Sequence, residues 1–100
     1  MKKQIRTLET EVTIDECIRF FMLRGYYIHE ESDRSLTMHR PGTIFTASIN
    51  RTPLIVDVEN IDKRTHLSLR YGTWILFDTG DLSKEVDRLK DALSHKYNDL

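Results

Sequence analysis

A chain of 100 residues, 39% of them hydrophobic, has the commonest size for one domain and enough apolar material for a modest core, so we expect a single domain over residues 1–100. Its 15 basic and 16 acidic residues leave a formal net charge of −1, which excludes a strong global field toward nucleic acid or an anionic membrane. Met1-Lys2-Lys3-Gln4-Ile5-Arg6 has the charge of a signal-peptide start without an apolar stretch behind it. The longest apolar runs, Phe20–Leu23 and Trp74–Phe77, are too short to span a bilayer, and Cys17 has no second cysteine to pair with. A cytoplasmic protein with no membrane association is the expectation.

In chain order, residues 3–9 read as a first strand, although Ile5 and Leu8 fall on opposite parities. Thr13-Ile14-Asp15-Glu16 has the Thr-x-x-Glu form in which two side chains satisfy two orphan backbone N–H groups, and it predicts a helix over 13–24. Val12 and Cys17 are placed to make a hydrophobic staple. Ile14, Cys17, Ile18 and Phe21 form one apolar stripe, and Gly25 ends the helix. Tyr26–Glu31 and Ser35–Arg40 then read as a hairpin around a three-residue loop, Ser32-Asp33-Arg34. This register pairs Ile28 with Met38 and puts Tyr27, His29, Thr37 and His39 on the opposite face.

Thr43–Asn50 is a weaker strand candidate, and Pro53 starts the next. Leu54, Val56 and Val58 alternate with Ile55, Asp57 and Glu59, and Leu67, Leu69 and Tyr71 alternate with His66, Ser68 and Arg70. A loop over Ile61–Arg64 pairs the two apolar sets and sets Glu59 opposite His66. Gly72 marks a bend before Trp74-Ile75-Leu76-Phe77, a run without alternation. The last helix covers 81–97 with a seam of Leu82, Val86, Leu89, Leu93 and Tyr97. Asp81 is its cap, and Lys84, Glu85, Asp87, Arg88, Lys90 and Asp91 lie on its other faces.

The fold class that follows is α+β: an antiparallel sheet of five or six strands packed on one face by two helices, in the order β-α-β(4–5)-α. This order resembles the topology of TATA-box-binding-protein-like domains and of the larger helix-grip lipid-binding domains. The resemblance covers the whole chain as a pattern of elements and no motif of either family is present. It implies a curved sheet with helices on one face. The tandem, basic, wedge-bearing DNA platform of the first family and the large apolar cavity of the second have no counterpart in this short, near-neutral unit.

Chemistry-bearing motifs are few. Leu76-Phe77-Asp78-Thr79-Gly80 resembles the active-site loop of retroviral aspartic proteases, homodimers of about this length, but there the aspartate lies in the first third of the chain and the flap follows it. Here a helix follows Asp78, and a chain end supplies no cleft for two carboxylates, so the segment reads as a turn and cap. Cys17 falls on the apolar stripe, as a buried thiol. The glycines at 25, 42, 72 and 80 stand singly and form no phosphate loop, and no Gly-x-Ser-x-Gly elbow occurs. His29, His39 and His66 lie on the polar parity of their strands without a pre-arranged ligand spacing, so no metal, cofactor or catalytic set is assigned.

The expectation is therefore a non-catalytic binding or protein-interaction domain acting through an open sheet face or a sheet edge, with Tyr27, His29, His39, Glu59, His66 and Arg70 as the binding residues. Its partner would be a protein or small molecule, or a second copy in a homodimer. The alternative is a small enzyme or metal-binding protein using the Glu59–His66 pair with His29 or His39. Nucleic acid is not expected, since it would rest only on Lys2, Lys3, Arg6, Arg51, Lys63 and Arg64 being contiguous.

Overall fold

The computed structural model of the chain describes residues 3–42, 49, 52–73 and 80–98, with the side chains of Tyr97 and Asn98 excepted. They form β1 (Gln4–Leu8), α1 (Ile14–Met22), β2 (Tyr27–Glu31), β3 (Ser35–Arg40), β4 (Leu54–Ile61), β5 (Arg64–Tyr71) and α2 (Asp81–Asn98). The strand candidate at Thr43–Asn50, apart from Ile49, and the run Trp74–Phe77 lie outside the described residues, as do Asp78 and Thr79.

Local chemistry explains the first helix. The Thr13 hydroxyl accepts a hydrogen bond from the Glu16 N–H at 3.2 Å, so Thr13 is the cap and the helix proper starts at Ile14. At the other end the Gly25 N–H donates to the Met22 carbonyl and the Tyr26 N–H to the Phe21 carbonyl, a paired closure that needs the φ of +89° adopted by Gly25. The closure carries its usual apolar contact. The Tyr26 ring packs edge-on against Phe21 with centroids 5.3 Å apart, and Phe20 meets Phe21 at 5.0 Å.

The five strands are antiparallel in the order β1-β5-β4-β3-β2. The link through α1 carries the chain from one sheet edge to the other, so α1 lies over β2 and β3 while α2 lies over β1 and β5. Leu36, Met38, Leu54, Val56, Val58, Leu67 and Leu69 are buried under these helices against Phe20, Phe21, Leu82 and Leu93. Both helices therefore share one face, and no described element covers the other. This α+β arrangement is compatible with the coarse topological resemblance drawn from the sequence. The parity of β1 is explained too, because Leu8 enters the core while Ile5 sits on the open face, 53% exposed.

Three local expectations are corrected. The β2–β3 turn is tighter than a three-residue loop: the Ser32 N–H donates to the Ser35 carbonyl at 2.8 Å across Asp33-Arg34, and the extra residue is absorbed by a bulge at His29 that preserves the Ile28–Met38 pair. The first bond of α2 runs from the Lys84 N–H to the Gly80 carbonyl, so Gly80, at φ +91°, rather than Asp81 holds the cap position. Glu85 is not on a solvated face. It is 7% exposed, because the stripe flanking Leu82, Val86 and Leu89 turns toward Tyr26 and Arg40 in the gap between the helices.

Candidate functional site

Registers along the strands arrange the open face in cross-strand rows. Thr7, His66, Glu59 and Ser35 form one, Ile5, Ser68, Asp57 and Thr37 the next, and Arg70, Ile55, His39 and Tyr27 the third. Adjacent rows are two residues, or about 7 Å, apart along each strand. The expected residues therefore fall into two groups: Tyr27, His39 and Arg70 share a row, while Glu59 and His66 face each other two rows away.

The bulge turns His29 onto His39. Their rings stack with centroids 4.3 Å apart and an interplanar angle of 23°, and the Tyr27 ring lies 5.8 Å from that of His39. Burial, then the neighbouring His29 and Arg70, hold the His39 pKa below its ordinary value of 6.5, against the opposing pull of Asp57. Since the unfolded chain takes up this proton at a higher pH than the folded one, His39 contributes stability present above its ordinary value of 6.5 and lost as pH falls from there through the lowered folded value. Substitution His29→Asn is expected to move the His39 titration back up, as read by imidazole NMR. Titration of wild-type His39 at its ordinary value would sink the stacked-pair account.

Glu59 and His66 are direct cross-strand partners on β4 and β5. His66 Nδ1 is hydrogen-bonded to the Thr7 hydroxyl at 3.0 Å, and His39 sits about 13 Å further along the sheet. No family model, curated protein or solved structure matches this chain.

The centre of that face is Asp57, which sequence reading left as one member of an alternating strand. Its Oδ1 accepts the Thr37 hydroxyl at 2.6 Å and its Oδ2 lies 3.7 Å from the Arg70 guanidinium. A carboxylate on the polar parity of the middle strand was the available signal. Around it the sheet is concave: a depression of about 320 Å³ is lined by Lys3, Thr37, Asp57, Glu59, His66 and Ser68. The Ser68 Oγ is shielded from solvent and has no hydrogen-bond partner.

Other candidates lie elsewhere. Cys17 is buried and its thiol is pushed up to about 12, first by that burial and then by Glu16, so it is a poor nucleophile. Arg6 projects to the helix side, where it binds Asp87 at 2.5 Å and Ser83 at 2.9 Å. Arg64 pairs with Glu9 at 3.7 Å, and Lys3 belongs to the open face. These cations do not form one patch; Lys2 and Arg51 lie outside the described residues. Among the described residues, no group of three or more His, Cys, Asp or Glu could hold a metal ion, and no helix is long and apolar enough to cross a membrane.

Proposed function

We propose that the chain is a non-catalytic binding domain that recognises a partner protein through the open face of its sheet. The observation that carries this reading is the polar depression centred on Asp57, set between two exposed apolar side chains, Ile5 and Tyr27. At about 320 Å³ it is at the small end of ligand pockets, and it opens onto the sheet rather than enclosing a volume. Such a surface suits a segment of polypeptide laid across strands. Lys3 and Arg70 are matched by Asp57 and Glu59, so the face offers both signs of charge and no phosphate track, while Tyr27 and Arg70 are of the types that protein interfaces favour as anchors. Of the two sheet edges, β2 is blunted by its bulge and by Glu30 and Glu31, which makes the β1 side the natural margin of the contact.

Photo-crosslinking in cells tests the surface directly. Benzoylphenylalanine at Ile5 and at Tyr27 is expected to give discrete protein adducts that are lost on adding Asp57→Lys. The same group at Met22 or Leu23, exposed on the helix side, is expected to give none. An adduct of twice the chain mass would identify the partner as a second copy. Adducts from the helix side alone, or adducts indifferent to Asp57→Lys, would overturn the assignment.

A further inference from the structure

Behind the sheet, the link between α1 and β2, the end of β3 and the middle of α2 border a second depression of about 250 Å³, lined by Arg24, Tyr26, Arg40, Glu85 and Arg88. Leu89 and Ala92 close it with an apolar wall. Two of the polar side chains are almost wholly buried, Tyr26 at 3% and Glu85 at 7% exposure, yet the Tyr26 hydroxyl and Glu85 Oε1 have no hydrogen-bond partner. Arg40 Nε is likewise buried and unpartnered, although its terminal nitrogen is anchored on the carbonyls of Ile49 and Thr52. Leaving such groups dry is costly, on the order of 1–3 kcal/mol each, so the seam favours a polar occupant.

The unmet groups define what that occupant must offer. Arg40 Nε–H and the Tyr26 O–H each need an acceptor; burial pushes the Tyr26 hydroxyl up to about 12, which keeps it a proton donor. Glu85 Oε1 needs a donor, since its neighbour Arg88 stands 3.3 Å away without completing a hydrogen bond. Arg24, Arg40 and Arg88 outweigh Glu85 in charge. Arg24 is also held in place, its guanidinium stacked 3.7 Å from the centroid of the Phe20 ring and donating to the Phe20 carbonyl. A ligand that satisfies all of these is anionic, rich in acceptors and supplied with at least one hydroxyl.

We propose that this seam between the helices is a binding site for a small hydroxyl-bearing oxyanion, of which hydrogen phosphate is the simplest member. Its charged oxygens meet Arg40, Tyr26 and the flanking arginines, and its P–OH donates to Glu85. Sulfate has the same shape but no hydroxyl at neutral pH, so it leaves Glu85 unmatched and sets one negative charge against another.

The test uses the full chain, titrated with inorganic phosphate and with sulfate at matched ionic strength and followed by amide NMR. Saturable shifts are expected at Tyr26, Arg40 and Glu85, with phosphate bound several-fold more tightly than sulfate. Substitution Tyr26→Phe removes a hydroxyl that has no partner in the free protein. It should leave the unliganded stability unchanged or raised while weakening phosphate about tenfold, the usual loss for one hydrogen bond to a charged group. Glu85→Gln should erase the preference for phosphate over sulfate. Equal responses to the two anions in the wild type, shifts that do not saturate, or a Tyr26→Phe variant that binds phosphate undiminished would overturn the proposal.

Discussion

Replacement of Asn60 by alanine is expected to lower the free energy of unfolding by about 2–4 kcal/mol, an unusually large effect for a polar residue. The side chain closes a buried network. Asn60 Nδ2 donates to the Val12 carbonyl at 2.9 Å, its Oδ1 accepts the Thr65 hydroxyl at 2.7 Å, and Thr65 Oγ1 in turn accepts the Val12 N–H at 2.7 Å. Every member is satisfied and shielded from water, so removing one amide leaves the buried Val12 carbonyl with only the weak Cys17 thiol donor at 3.9 Å and deprives a buried hydroxyl of its acceptor. The network also clamps the segment between β1 and α1 onto the β4–β5 hairpin. Urea denaturation should show the lower midpoint with an unchanged slope, and hydrogen exchange should show faster opening of the β1 amides. A variant with the wild-type midpoint would mean that water replaces the amide at no cost and that the clamp is not structural.

Phe21→Ala is expected to cost still more, about 3–5 kcal/mol, because Phe21 is fully buried and a packed core relaxes only in part around the space such a truncation leaves. Its ring holds Phe20 on one side and Tyr26 on the other in edge-on contacts, and its carbonyl accepts the bond from the Tyr26 N–H that ends α1. For a domain of this size the loss corresponds to a melting point lowered by roughly 15–30 °C. Differential scanning calorimetry measures it, with Phe21→Leu as a milder comparison that keeps an apolar filling. A drop of only a few degrees for Phe21→Ala would show that the core beneath α1 repacks freely. Because Tyr26 stands on Phe21, the alanine variant should also weaken phosphate at the helix seam where it remains folded.

Sequence reading recovered the elements whose cause is local. Thr13 and Glu16 announce a helix start because capping involves neighbours in the chain, and the alternation of Leu54, Val56 and Val58 reports a strand with one dry face. The hairpin registers follow in turn, so Tyr27 opposite His39 and Glu59 opposite His66 were both legible. Asp57 was passed over because a carboxylate between valines looks the same whether it is solvated or sits at the centre of a concave sheet. His29 shares a polar parity with His39 in the sequence, but a bulge and not a longer loop is what stacks their rings.

Periodicity and caps alone were enough to specify two amphipathic helices, an antiparallel sheet between them and a polar reverse side, since each is a property of short stretches of chain. Packing decided the rest. Arg6 reaching Asp87 across 81 positions, Asn60 bridging Val12 and Thr65, and Glu85 turned inward beside Tyr26 and Arg40 all depend on which helix lies over which strands. No periodic pattern encodes those distances. They arise only when two helices settle on one face of the sheet, and both the polar reverse face and the seam between the helices are consequences of how they settle.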